Sequence, residues 1–291
     1  MKWFLDVLRG MVIGLANVIP GVSGGTMMVS MGIYDKLIWS INHLFKAFKK
    51  AFTILLPYVV GMVLAILLGA VGLKKAFASF PLPTNALFIG LILGSLPFIL
   101  REMKGEKIGW QGVVIFLLFF ALVVGLKVVE GENRAELRLN ALEIVKLFLL
   151  GAVASAAMVI PGVSGSMILK TLGYYEPVVT EGIPGLLKGL TSQDWGLFGH
   201  SVGILLPFGL GILFGIFGIA RLIAFLMKKW KGRTYCAILG MVAASPVVIL
   251  MDTSIYEGFS LWIGLFSAAA LALGAFCAMK LGGDPEPAKA A

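Results

Sequence analysis

Ile19-Pro20-Gly21-Val22-Ser23-Gly24-Gly25 occurs in this chain a second time, as Ile160-Pro161-Gly162-Val163-Ser164-Gly165-Ser166. One offset of 141 residues (161 − 20) also lays Gly32 on Gly173, Tyr34 on Tyr175, Asp35 on Glu176 and Gly10 on Gly151. A short apolar segment precedes each copy and another follows it, so Pro and Gly break the backbone in the middle of hydrophobic sequence. In lipid such a break is tolerated only where protein or a wet cavity satisfies the freed N–H and C=O groups. Paired interruptions at matching places in two halves point to the binding site of a transporter.

Composition sets the class. Of 291 residues, 59% are hydrophobic and 13% charged, and the mean hydropathy is +0.98. A soluble domain is about half apolar and about a quarter charged. With several long apolar runs, the chain reads as an all-α polytopic membrane protein. The first segment carries Asp6 and Arg9 and has no small-residue cleavage site, so it is not read as a removed signal peptide. The net charge of +9 resides in short loops between apolar spans, which fits membrane orientation and implies no nucleic-acid partner. Cys236 and Cys277 lie in apolar segments without CxxC or metal-ligand spacing and read as packing residues. No metal or cofactor is expected.

The repeat divides the chain. The first half, 1–129, is expected to hold a hairpin over 3–41 and spans at 53–73, 85–101 and 110–129. An external linker, 130–140, precedes the second half, 141–281, with a hairpin over 141–179 and spans at 202–227, 235–251 and 260–280. Residues 282–291 read as a flexible tail. Ile54-Leu55-Leu56-Pro57 matches Ile204-Leu205-Leu206-Pro207, and Gly61 matches Gly211. If each hairpin is re-entrant, each half has three crossings; if both arms cross, it has five. Either number is odd, so the two halves are inverted. With both termini cytoplasmic, twelve cations fall inside: Lys2, Arg9, Lys46, Lys49, Lys50, Arg101, Lys104, Lys107, Lys228, Lys229, Lys231 and Arg233. Only five fall outside: Lys74, Lys75, Arg134, Arg138 and Lys188. That is a positive-inside bias.

A Pro-Gly-Val-Ser-Gly turn that opens a helix presents free N–H groups and the positive end of the helix dipole. Ser23, Thr26, Ser164 and Ser166 add hydroxyls, and Gly21, Gly24, Gly25, Gly162 and Gly165 admit close backbone approach. The chemistry suits a phosphate or carboxylate. In an inverted repeat the two turns approach each other near the midplane. The competing reading is that these small residues only let helices pack closely. Lys170 sits one helical turn after Ser166; it fits either a site for an anion or a cation that reaches to the interface. Arg221 fits contact with headgroups, and so does Asn17, whose repeat partner is Met158. Asp35 and Glu176 form a matched acidic pair, suited to carrying protons or ions or to satisfying nearby backbone. Gly21-Val22-Ser23-Gly24-Gly25 also fits G-x-S-x-G, but the second copy breaks that pattern. His43 and His200 offer no base at matching positions, so an enzyme is not expected.

Asn17-Val18-Ile19-Pro20-Gly21-Val22-Ser23-Gly24-Gly25-Thr26 resembles the first signature of the polyprenyl-phosphate transporter family. Pro161 to Ser166, with Leu172-Gly173-Tyr174-Tyr175-Glu176, resembles its second. The resemblance runs from Leu8 to about Met279. It implies a prokaryotic plasma-membrane protein that returns undecaprenyl phosphate from the outer to the inner leaflet, recycling the lipid carrier of envelope polymers. The implied partners are polyprenyl phosphate and membrane lipids, with protons or sodium as coupling ions. The alternative is an ion-coupled secondary transporter of a small soluble anion. No ATP-binding loop is present, so transport is expected to be facilitated or ion-coupled.

Overall fold

The computed structural model describes residues 2–18, 24–65, 70–106, 108–129, 135, 137 and 139–281. Helix α1 (Lys2–Val18) leads to the first motif, and α2 (Gly24–Ser30) and α3 (Tyr34–Asn42) follow it. Helices α4 (Phe48–Leu64), α5 (Ala70–Ser79), α6 (Pro81–Glu102) and α7 (Trp110–Val129) complete the first half. Helix α8 (Ala141–Val159) leads to the second motif; α9 (Gly165–Thr171), a π-helical segment (Glu176–Gly182) and α10 (Ile183–Thr191) come next. Helix α11 (Trp195–Leu250), a 3-10 turn (Thr253–Tyr256) and α12 (Leu261–Leu281) end the described chain. No strand occurs among the described residues.

Among the described residues, five helices are long and apolar enough to cross a membrane: α6, α7, α8, α11 and α12. Leu117 and Leu118 on α7, and Trp262 and Phe266 on α12, are exposed, as apolar side chains that face lipid must be. At 56 residues, α11 would be about 84 Å long if straight, far beyond a bilayer core of about 30 Å. Its helical geometry breaks at Trp230 alone (φ −140°, ψ 53°), between Lys228-Lys229 and Lys231. The spans expected at 202–227 and 235–251 are the two limbs of this rod. Short basic sequence does not unwind a helix; one residue out of register suffices to turn it.

Within the expected hairpins 3–41 and 141–179, the segment after each motif is cut by the same helix end. The N–H of Ile33 reaches Met28 O at 3.0 Å and that of Gly32 reaches Val29 O at 3.0 Å. In the second half, Tyr174 N–H reaches Leu169 O at 2.8 Å and Gly173 N–H reaches Lys170 O at 2.9 Å. Both are Schellman caps, and each needs a left-handed residue, supplied by Gly32 (φ 65°) and Gly173 (φ 79°). Of the expected span 53–73, α4 runs to Leu64 and α5 starts at Ala70, while residues 66–69 lie outside the described residues.

The halves pack alike. Helix α1 lies on α4 and α8 on the first limb of α11. Gly10 meets the Tyr58 backbone, and Gly61 meets Val7 O and the Met11 N–H. Gly151 likewise meets Phe208 O, and Gly211 meets Phe148 O and Ala152 N. Without Cβ atoms, the two backbones come close enough for dense dispersion contact, the main attraction left between helices in lipid. The first helix pair follows the 141-residue offset and the second follows 150 (211 − 61). The nine extra residues are matched by the nine of α10. The remaining spans interlock: α6 packs on α12, where Gly90 faces Leu271 and Gly274 faces Leu87, while α7 packs on the second limb of α11 at Gly240.

Candidate functional site

The second motif is built by local rules. Ile160 leaves α8 with extended backbone (φ −70°, ψ 126°), the conformation a residue before proline prefers. Gly162 then turns left-handed (φ 82°) with its α-carbon against Met241 O of α11, where a side chain has no room. Ser164 is the N-cap residue of α9, but its hydroxyl makes no capping bond; Ser164 Oγ and Ser166 Oγ pair at 2.7 Å. Ser164 is 9% exposed and Ser166 is half-buried. Two adjacent hydroxyls and a helix start are thus held at the edge of the core.

The motif copies meet. The Gly162 N–H donates to Thr26 Oγ1 at 2.7 Å, a bond between residues 136 apart in sequence, and Thr26 is fully buried. A Cβ on Gly25 would lie 2.5 Å from Val159 O and 3.0 Å from Pro161 N, so α2 starts directly against the second turn. Leaving the Gly162 N–H unpaired there would cost about 1–3 kcal/mol. Pro20, Gly21 and Ser23 lie outside the described residues.

Two expected anion donors have protein partners. The Gly24 N–H donates to Asn17 Oδ1 at 3.1 Å, so Asn17 caps α2 from α1, a role that sequence spacing did not reveal. At the equivalent place Met158 packs on Gly165, Cγ lying 2.7 Å from where a Cβ would be. Lys170 is half-buried, with Nζ 5.5 Å from the Tyr175 ring centroid, a cation–π distance. Asp35 accepts from the Tyr235 hydroxyl at 3.1 Å, which ties α3 to the second limb of α11. Glu176 opens the π-helical segment. Arg221 is exposed, beside Ala220, whose carbonyl accepts from Asn42 Nδ2 at 2.8 Å.

A polar cluster escaped the sequence reading. Tyr58 Oη donates to Asp6 Oδ1 at 2.7 Å, Arg9 Nη1 to the same oxygen at 3.1 Å, and Lys36 Nζ to Asp6 Oδ2 at 3.4 Å. In the second half the Tyr174 hydroxyl donates to Glu143 Oε1 at 2.7 Å, and Lys146 pairs with Glu143 at 3.2 Å. In both halves, then, the segment after the motif comes back beside the start of the helix before it. The available signal was Asp6 and Arg9 within an apolar segment, three residues apart on one helical face. Among the described residues no group of His, Cys, Asp and Glu could hold a metal ion.

The model of the undecaprenyl phosphate translocase-like family matches residues 13–260. The chain is 31% identical over 254 residues to the polyprenyl-phosphate transporter of Staphylococcus aureus, covering 84% of each chain. It is 28% identical over 256 residues to the polyprenyl-phosphate transporter of Vibrio cholerae, covering 83% of this chain and 76% of that one. No solved structure matches the chain.

Proposed function

The chain belongs to the undecaprenyl phosphate translocase-like family, and on that premise we propose that it moves undecaprenyl phosphate from the outer to the inner leaflet of a bacterial plasma membrane, returning the carrier for envelope polymer synthesis. The observation that carries this reading is the buried contact of the two motif copies, Gly162 N–H to Thr26 Oγ1. Broken backbone in an apolar core needs polar partners, and the second break finds one for its Gly162 N–H in Thr26, beside the first.

A lipid monophosphate needs only its head carried through the hydrocarbon, because its tail can remain in lipid. In this reading the head is held by Ser164, Ser166 and the N–H groups of Gly165 and Ser166, together with Ser23 and Gly25 of the first motif, and Lys170 supplies countercharge. Gly24 and Asn17 support that surface through their mutual bond. Asp35 and Glu176 are the candidates for coupling to protons or sodium. The return of Lys36 to Asp6, and of Tyr174 to Glu143, supports hairpins that enter and leave by the same leaflet. The loop cations support inverted halves with both termini cytoplasmic. A cysteine at Glu257, in a Cys236- and Cys277-free background, should label from outside; labelling from inside only would sink the inversion.

The decisive experiment is reconstitution with labelled polyprenyl phosphate, measuring binding and flipping on variants shown to be folded. A hydrogen bond to a charged group contributes about 1.5–3 kcal/mol, so Ser164→Ala or Ser23→Ala should weaken binding roughly 10- to 100-fold. Lys170→Met should cost at least as much. If these folded variants bind and flip like the parent, the site lies elsewhere and the motifs only pack.

A further inference from the structure

Helices α1, α3 and α4 bring Asp6, Arg9, Lys36 and Tyr58 into one cluster in the first half. Asp6 pairs with both Arg9 and Lys36. Asp6 and Arg9 are largely buried, with side chains 15% and 12% exposed, whereas Lys36 is 33% exposed. The Lys36 ammonium has three donors. It sits at the long distance of 3.4 Å from Asp6, at 3.3 Å from Tyr58 Oη and 5.5 Å from the Tyr58 ring centroid. Asp6 Oδ1, meanwhile, already accepts from both Tyr58 and Arg9. With two long contacts for three donors and a third of its side chain exposed, Lys36 keeps donor capacity for an anion.

The charge of the first half is not copied at the aligned positions of the second. The offsets that align the halves put Leu147 at Asp6, Leu150 at Arg9, Pro177 at Lys36 and Phe208 at Tyr58. The α8–α11 contact has apolar residues at these positions, and the second half places its own carboxylate, Glu143, four residues before Leu147, with Tyr174 and Lys146 on it. The second half has its own lysine over a tyrosine, Lys170 on Tyr175 at the same 5.5 Å, but its repeat partner is Val29. One lysine therefore stands on the segment after each motif, at positions the duplication did not copy. In halves of opposite orientation these lysines lie on opposite sides of the central contact.

Resting on the transport reading above, we infer that the Asp6–Arg9–Lys36–Tyr58 cluster is a second station for a phosphate monoester, on the inner-leaflet side, with Lys36 as the group that receives it. The head passes from Lys170 past the contact of Gly162 with Thr26 to Lys36. Tyr58 and Asp6 hold the ammonium in place. Asp6 also limits affinity, since its negative charge opposes the incoming phosphate and lets it leave.

Binding of labelled polyprenyl phosphate to the full chain in nanodiscs tests this, with Lys36→Met, Asp6→Asn and the parent compared, and flipping measured in parallel. Lys36→Met should weaken binding about 10-fold, the loss of one charge-assisted contact. Asp6→Asn should tighten it by a factor on the order of 10 while slowing flipping, because the carboxylate that aids release is gone. Opposite signs for these variants support the station. Parallel weakening with a lowered melting temperature, or parental binding by folded Lys36→Met, overturns it while leaving the transport reading intact. Inorganic phosphate and phosphatidylglycerol vesicles separate the possible sources. Lys36-dependent binding of inorganic phosphate without binding of the lipid keeps the station and sinks the lipid reading. Equal Lys36-dependent binding of phosphatidylglycerol assigns the cluster to bulk headgroups and overturns the proposal.

Discussion

The two motif regions share a backbone and differ in where they carry charge. In each, a glycine on the first helix and a glycine on the following span let two backbones touch: Gly10 and Gly61 in one, Gly151 and Gly211 in the other. In each, a Schellman cap at Gly32 or Gly173 ends the short helix after the motif. Around this common frame the first hairpin carries Asp6, Arg9, Lys36 and Tyr58, where the second carries Leu147, Leu150, Pro177 and Phe208. The first secures its motif helix with a hydrogen bond from Gly24 to Asn17, and the second packs Met158 on Gly165. Close approach is a demand of geometry that both halves must meet. Charge is no part of that demand, and it has diverged.

The frame is where the largest effect is expected. Gly61→Val and Gly211→Val should each destabilise the protein by at least the ~1–3 kcal/mol of an overpacked core, because the new side chain meets Val7 O or Phe148 O. Yield of monodisperse protein and melting temperature in detergent would show it. Tolerance in one half and collapse in the other would break the equivalence.

Exchanging the diverged residues sharpens the contrast. Tyr58→Phe gives the first half the residue of the second; it should cost about 1.5–3 kcal/mol, since the hydroxyl donates to a carboxylate. Phe208→Tyr places a hydroxyl among Leu147, Ala154 and Ile204 and should cost about 1–3 kcal/mol where no acceptor is reached. Thermal melts of both variants measure this, and a neutral Tyr58→Phe would mean that the Asp6 cluster contributes nothing to the fold.

The smallest effect belongs to the cap. Asn17→Ala should lower stability by about 0.5–2 kcal/mol, the range for a lost N-terminal cap, with hydrogen exchange rising at Gly24. Unchanged exchange there would show that α2 is held by packing, as α9 is by Met158.

Much of this was legible in the sequence because it is local. The duplicated Ile-Pro-Gly-Val-Ser-Gly stretch, the matched Gly32 and Gly173, and the Gly10–Gly151 and Gly61–Gly211 pairs mark positions where backbone geometry admits few residues. Apolar length and loop cations identified a polytopic helical membrane protein for the same reason: hydrophobic thickness and surface charge act on short stretches. What only the tertiary structure decided is which groups meet. The bond from Gly162 to Thr26, the capping of Gly24 by Asn17, the gathering of Lys36 and Tyr58 onto Asp6, and the interlocking of α6 with α12 all join residues distant in sequence or on separate helices. In water the polar face of a helix would have announced its partner face. In lipid both faces are apolar, so the pattern that normally tells inside from outside is missing, and pairing is settled by fit, backbone approach and a few hydrogen bonds.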